Sequence, residues 1–203
     1  MYDQYGSIVP SVRVDRPTRG QRPMYNGHKR KHALKYQAVV TPDGMFASLW
    51  GLLNGCQHDK RMLELSGLMS FVECRVYDAD GSPYCLYGDP AYGQSEHLCT
   101  PFAPEVGAGE LSEEMKAFKK SMSRCRVTVE WCFKEATNKC AFIDRTRQRK
   151  SLLIPVGTHY RVCVCVMLSN LHSCLNGGNE ISQFFGVSPP ALDEYLHGVV
   201  SRS

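Results

Sequence analysis

The sequence lacks the local signals of several protein classes. Its ten cysteines form no CxxC pair and no cysteine–histidine spacing of a zinc site, and the lone CxC at Cys163 and Cys165 lies in an apolar run. No apolar run approaches the ~18 residues of a membrane span, and Met1-Tyr2-Asp3 does not begin a secretory signal. We find no internal repeat and no interdomain linker. We therefore expect a reduced intracellular protein with buried thiols, and 203 residues suffice for one domain with a core.

Positive charge is concentrated near the amino terminus. The whole chain has a formal charge of +4, but residues 12–35 alone carry +7, which leaves −3 for the rest. This asymmetry suggests an acidic partner, with nucleic acid first among the candidates, although a solvated loop fits the charge equally well. The basic residues of the segment are Arg13, Arg16, Arg19, Arg22, Lys29, Arg30, Lys31 and Lys35.

A short apolar and aromatic run over residues 84–87 is followed by Gly88-Asp89-Pro90. The run is typical of a strand buried on both faces, and Gly-Asp-Pro is typical of a turn. Pro90 has no amide hydrogen, so the sheet ladder should end there. Asp89 is then expected at the carboxyl end of a central strand, where ligands of open α/β sheets gather. A carboxylate at this edge can ligate a metal ion, orient a water molecule or cap a helix.

The remaining pattern predicts an α/β sheet with mixed strand directions. The predicted elements are antiparallel strands over 33–40 and 45–50 with a turn at Thr41-Pro42-Asp43-Gly44, a helix capped by Asp59 and interrupted at Ser66-Gly67, a helix from the N-cap Ser112 to about Asn138, and an apolar helix over 156–175. Glu130 lies on the second helix, 41 residues after Asp89.

Asp89 and Glu130 are the candidate metal-ligating pair. A helix can project a carboxylate over the sheet edge that carries another, and two such groups can hold Mg²⁺ or Mn²⁺ for phosphodiester cleavage. Two structural interpretations compete with this one. Glu130 stands four residues from both Arg126 and Lys134 and can be their surface ion-pair partner, and Asp89 can bond backbone amides in its own turn.

Several motifs, in this order along the chain, resemble the DDE endonuclease domain of Harbinger-type transposases. They are Arg16-Pro17-Thr18-Arg19, Tyr25-Asn26-Gly27-His28-Lys29-Arg30, Pro42-Asp43-Gly44, His58-Asp59, Gly88-Asp89-Pro90-Ala91-Tyr92 and Arg126-Val127-Thr128-Val129-Glu130. The resemblance implies an RNase H-like fold and metal-dependent cleavage and transfer of DNA strands.

The same resemblance implies roles for individual residues. Asp89 matches the second acidic ligand of the family and Glu130 the third, and both would be catalytic. His58 and Asp59 match a motif beside the site, where a cap is as good an interpretation of Asp59 as a catalytic one. We expect residues 12–178 to form the endonuclease-like domain, with a divergent segment over 1–11 and a tail over 179–203 that packs on the domain.

The first acidic ligand has no counterpart. In the family an Asp-Gly on the first strand precedes the Arg-Pro element by roughly eight residues, and that position falls on Ile8-Val9 here. Asp3 comes too early and Asp15 too late for the position. The upstream helix-turn-helix segment of family members is also expected to be missing, so a separate DNA-binding protein is a candidate partner.

Two functions remain open at this point. The first is a transposase-derived nuclease domain weakened or inactivated by the missing acid, with DNA as its substrate. The second is a non-catalytic module that binds DNA or another protein. An unrelated α/β binding protein would require the ordered motifs to be a coincidence. Lys29-Arg30-Lys31 can also serve nuclear import, so a nuclear location is expected.

Overall fold

The computed structural model describes residues 6–8, 11–13, 25–26, 31–75, 77, 80–102, 112–140 and 155–200. Its strands are β1 (Gly6–Ile8), β2 (Ser11–Arg13), β3 (Tyr25–Asn26), β4 (Lys31–Val40), β5 (Phe46–Asn54), β6 (Leu86–Tyr87) and β7 (Leu98–Cys99). Its α-helices are α1 (Asp59–Ser66), α2 (Leu68–Arg75), α3 (Glu113–Lys139), α4 (Pro155–Leu175), α5 (Glu180–Phe185) and α6 (Leu192–Val200), and Pro90–Tyr92 is a 3₁₀ helix.

The sheet is mixed, as the sequence predicts. β4 pairs antiparallel with β5 along one edge and with both β1 and β2 along the other. β1 then pairs parallel with β6, and β6 pairs parallel with β7. The sheet therefore changes from antiparallel to parallel pairing at β1, and β6 is an interior strand with a partner on each side.

Helices cover both faces of the sheet, and alternate residues of β4 divide between them. Tyr36, Ala38 and Val40 belong to a core with side chains of α3, α4 and α5. Val39 points to the other face and packs with Leu63 of α1 and other apolar side chains, among them those of Val72 and Leu86. None of the helices in the described part of the chain is both long and apolar enough to cross a membrane.

Most predicted elements are present with shifted bounds. The hairpin of β4 and β5 and the helix break at Gly67 are confirmed. The Ser112 cap is confirmed too, since the Ser112 hydroxyl accepts a hydrogen bond from the Met115 amide at 3.2 Å. The strand before Asp89 is shorter than predicted, since only Leu86 and Tyr87 join the ladder. All ten cysteines are free thiols, and four of them are buried.

The prediction that Asp59 caps α1 is wrong. The N-cap residue is His58, whose side chain makes no capping hydrogen bond. Asp59 is the first residue of the helix, and its Oδ1 accepts a hydrogen bond from Lys35 Nζ at 2.7 Å. The carboxylate thus pairs with a lysine of β4, while its charge still favours the amino end of the helix dipole.

Asn179 joins the carboxyl-terminal helices to the hairpin. Its Oδ1 accepts from the amides of Ile181 and Ser182, and its Nδ2 donates to Gly44 O and to Ser173 Oγ, each at 2.8 Å. Gly44 has a φ of +78°, and a Cβ there would lie 2.0 Å from the Asn179 Oδ1. The turn between β4 and β5 is therefore shaped to receive this buried amide.

We predict that Asn179→Ala lowers the free energy of unfolding by about 3 kcal/mol, because a cap is lost and several buried groups lose their partners. Asn176→Ala is the matched control, since its amide donates to His172 O in an exposed position, and it should cost less than about 0.5 kcal/mol. Urea unfolding followed by circular dichroism measures both values. Equal costs for the two variants would contradict the role given to Asn179.

Candidate active site

The site is built at the carboxyl end of β6. The Gly88 amide still donates to Cys99 O of β7 at 2.9 Å, and the next residue, Asp89, leaves the sheet as the N-cap of the 3₁₀ helix. A Cβ at Gly88 would lie 3.0 Å from Leu98 Cδ1 and 3.2 Å from Tyr92 Cδ2. Glycine thus lets the chain turn closely over β7, and the turn presents the Asp89 carboxylate at the sheet edge.

Both oxygens of the Asp89 carboxylate have partners. Oδ1 accepts from the Ala91 amide at 3.2 Å, so the expectation that Asp89 bonds an amide in its own turn is confirmed. Oδ2 forms an ion pair with Arg126 Nη1 of α3 at 3.0 Å. The two side chains are 39% and 25% exposed respectively, so the pair is partly shielded from solvent. The sequence predicts the bond of Asp89 with an amide of its own turn, but not the ion pair with Arg126.

Arg126 places one turn of α3 at this edge. Thr128, Val129 and Cys132 of the same helix are buried, and Cys132 Sγ lies 3.8 Å from Gly44 O in the hairpin turn. Glu130 follows Arg126 by four residues, which is one helical turn, and so shares its face of the helix. It lies between the turn that contacts Asp89 and the turn that contacts the hairpin.

Glu130 is exposed and makes no ion pair with any residue that the structure describes. The expected surface pair with Arg126 is not formed, because that guanidinium binds Asp89 instead. Glu130 is therefore an uncompensated carboxylate one helical turn from the partner of Asp89.

Tyr92 connects Asp89 to the His58-Asp59 motif. Its ring is buried between α1 and the end of β6, and α1 contacts the 3₁₀ helix. Burial raises the pKa of the Tyr92 hydroxyl, and the negative charges of Asp59 and Asp89 raise it further. Asp59 therefore lies close enough to share an electrostatic neighbour with Asp89, although its own ion pair is with Lys35.

The basic residues predicted to bind nucleic acid fall into three groups. Arg13 lies in β2 and Lys31 in β4. Lys35 donates to Gln57 O and pairs with Asp59, and only 11% of its side chain is exposed, so it stabilises the junction of β4 and α1. Arg16, Arg19, Arg22, Lys29 and Arg30 lie outside the described residues.

Strand β1 ends beside the turn that carries Asp89. Ser7 of β1 pairs with Tyr87 of β6, and Ile8 is the next and last residue of β1. In a parallel pair this register sets residue 8 next to Gly88, at the carboxyl ends of both strands. Ile8, one of the two residues at which the family resemblance would place the first acid, therefore lies beside the residue that precedes Asp89.

The donor chemistry at this edge fits Mg²⁺ or Mn²⁺, because Asp89 and Glu130 both offer carboxylate oxygens. The number of donors is small. Within the described ranges, no three side chains of histidine, cysteine, aspartate or glutamate come together as a metal site. Asp89 also has Arg126 on one oxygen. Two carboxylates, one of them bound to a guanidinium, are fewer donors than a two-ion centre uses.

Two residues beyond the predicted pair shape the site. From its spacing, Arg126 was expected only as an ion-pair partner of Glu130. It also begins the Arg126-to-Glu130 motif, and that position is the signal that could have placed it beside the acids. Tyr92 closes the Gly88-to-Tyr92 motif, where a buried aromatic ring after a turn could have been expected to brace the acid.

Comparison with known proteins identifies the family of this chain. Neither the curated proteins nor the solved structures give a significant match. The family model described as DDE superfamily endonuclease matches residues 10–170, more than three quarters of the chain. The matched range contains Asp59, Asp89, Arg126 and Glu130, and it begins after Ile8. The chain belongs to the DDE superfamily endonucleases.

Proposed function

We propose that this chain is a transposase-derived endonuclease domain of the Harbinger type, with an RNase H-like sheet, that acts weakly on DNA phosphodiester bonds. Asp89 and Glu130 are its proposed ligands for Mg²⁺ or Mn²⁺. The observation that supports the proposal best is the 3.0 Å contact between Asp89 and Arg126, because it brings the Glu130 turn of α3 to the carboxyl edge of β6. The change from antiparallel to parallel pairing at β1 supports the RNase H-like assignment.

The missing acid explains why the activity is proposed to be weak. When bound, a pair of Mg²⁺ ions would stabilise the charge that develops on the attacking and leaving oxygens of a phosphodiester. Three carboxylates offset most of the charge of such a pair, whereas two leave more repulsion between the ions. With Ile8 in the first position, a cost of several kcal/mol in the transition state is expected, and each ~1.36 kcal/mol is tenfold in rate.

Arg126 has a defined electrostatic role in this proposal. Its guanidinium neutralises Asp89 when no cation is present and holds the carboxylate in place beside the first turn of the 3₁₀ helix. The same positive charge opposes a second cation at Oδ2. The residue thus preserves the geometry of the acid edge and lowers its affinity for metal.

DNA is the proposed partner, since the family acts on it as an endonuclease. We propose that Arg13, Arg16, Arg19, Arg22, Lys29, Arg30 and Lys31 contact phosphates, and we leave out Lys35 because Asp59 and Gln57 occupy its ammonium group. A nuclear location and a separate DNA-binding protein partner belong to the same proposal.

We predict that Ile8→Asp tightens Mn²⁺ binding at least about tenfold, or about 1.4 kcal/mol, because a third carboxylate joins the carboxyl edge. Plasmid nicking in Mg²⁺ should rise in the same variant. Ile8→Asn is the matched control, because it removes the same apolar side chain without adding charge. Mn²⁺ titration measures binding independently of cleavage, and identical behaviour of the two variants would overturn the site assignment.

A second prediction concerns the ion pair itself. In a double-mutant cycle of Asp89→Asn and Arg126→Gln, we expect a coupling energy of about 1 kcal/mol in the free energy of unfolding, since the pair is partly buried. The exposed pair of Arg61 and Glu64, also at 3.0 Å, provides the control cycle, with an expected coupling of about 0.3 kcal/mol. A coupling for the first pair no larger than that of the control would show that the contact does not fix α3 to β6.

A further inference from the structure

The amino-terminal part of α3 carries an exposed face that the proposed function does not use. All residues from Glu113 to Ser121 are exposed, and burial of the helix begins at Met122, which is 1% exposed. A helix rises about 1.5 Å per residue, so this exposed part is about 14 Å long.

Three cations on this part of α3 are not neutralised. Lys119, Lys120 and Arg124 form no ion pair with any residue in the described ranges. Other basic side chains of the same structure do have acidic partners, as Lys116 has Glu113 and Lys139 has Glu135. The three cations line a shallow, widely open depression of about 510 Å³ on the surface of α3, called the groove below, together with Lys116, Ser123 and Val127.

Part of the groove lining shares a helix face with the acid edge, whereas Lys120 and Arg124 lie about 80° and 120° around the helix axis from Glu130. Lys119, Ser123, Arg126 and Glu130 follow one another at spacings of three or four residues, so they lie along one face of the helix. Eleven residues separate Lys119 from Glu130 in the sequence, a rise of about 16 Å. A turn of B-DNA is about 34 Å long, so this rise corresponds to roughly half a turn of duplex.

The charge of the lining residues indicates the occupant. The groove residues are four cations, one hydroxyl and one valine, with no carboxylate among them. A polyanion with regularly spaced charges matches a row of cations over this length, and the DNA backbone is such a polyanion. Lysine and arginine side chains bind phosphates without reading the base sequence.

We propose that the groove along Lys119, Lys120 and Arg124 binds the phosphate backbone of duplex DNA, with Lys119 about half a turn of duplex from the phosphate that lies at Asp89 and Glu130. The distance to the phosphate at Asp89 and Glu130 rests on the proposed function, whereas the binding of DNA along the groove does not. The surface is separate from the basic segment over residues 12–35, and it aligns the duplex along the helix that carries Glu130.

The test compares two triple variants of the full chain. The groove variant carries Lys119→Ala, Lys120→Ala and Arg124→Ala. The control variant carries Lys60→Ala, Arg61→Ala and Lys139→Ala, which removes the same charge from α1 and from the opposite end of α3. Alanine is a good helix former and the groove side chains are exposed, so the groove variant should keep the wild-type circular dichroism and melting temperature. The control variant should keep the wild-type circular dichroism, and its melting temperature should fall only by the small contribution of the two ion pairs of Arg61 and Lys139.

Affinity for a short duplex of arbitrary sequence is measured by fluorescence anisotropy in EDTA, between about 50 and 200 mM salt. Each lost phosphate contact should reduce the slope of log K against log salt by about 0.9, so the groove variant should be shallower than wild type by roughly 2.7. The control variant should keep the wild-type slope.

Each outcome bears on one proposal. A groove variant with the wild-type slope, equal losses in both variants, or no DNA binding by the wild type would overturn the groove assignment. Because EDTA removes divalent ions, the measurement is independent of cleavage. A shallower slope in the groove variant combined with no nicking by Ile8→Asp would support the groove and count against the nuclease proposal alone.

Discussion

The contact between Asp89 and Arg126 is the interaction on which the site depends. It joins residues 37 apart in the sequence, one at the end of an interior strand and the other on α3. Since Val129 and the residues Cys132, Phe133 and Ala136 after it anchor α3 in the core, fixing Arg126 also fixes the turn that carries Glu130. A contact that contributes only about 1 kcal/mol to stability can therefore determine where two carboxylates stand relative to each other.

The parallel part of the sheet sets the chemistry of this edge. β1 and β6 end side by side, and Gly88 allows the chain to turn over β7 and expose Asp89. Ile8 is the last residue of β1, and the guanidinium of Arg126 compensates the charge of Asp89. The same helix carries uncompensated cations at Lys119, Lys120 and Arg124, toward its amino terminus, where we propose that a polyanion binds.

Local signals predicted much of this fold. The hairpin of β4 and β5 follows from a Thr-Pro-Asp-Gly turn between alternating apolar residues, and α3 follows from Ser112 and the acids after it. The pairing of β1 with both β4 and β6 could not be predicted, because strands of two or three residues carry no periodicity. The partners of Arg126 and Lys35 could not be predicted either. From the sequence alone, each of these side chains could equally pair with an acid close to it in the chain or point into solvent. Only the tertiary packing brings Asp89 to Arg126 and Asp59 to Lys35.

The central claim is that Asp89 and Glu130 hold one divalent ion between them, and iron-mediated cleavage of the polypeptide tests it most directly. With hydrogen peroxide as oxidant and ascorbate as reductant, Fe²⁺ bound in place of Mg²⁺ generates hydroxyl radicals that break the backbone within a few ångströms of the metal. Our account predicts breaks near both residue 89 and residue 130, suppressed by excess Mg²⁺ and lost in Asp89→Asn. Breaks near only one of these residues, or none that Mg²⁺ suppresses, would contradict it.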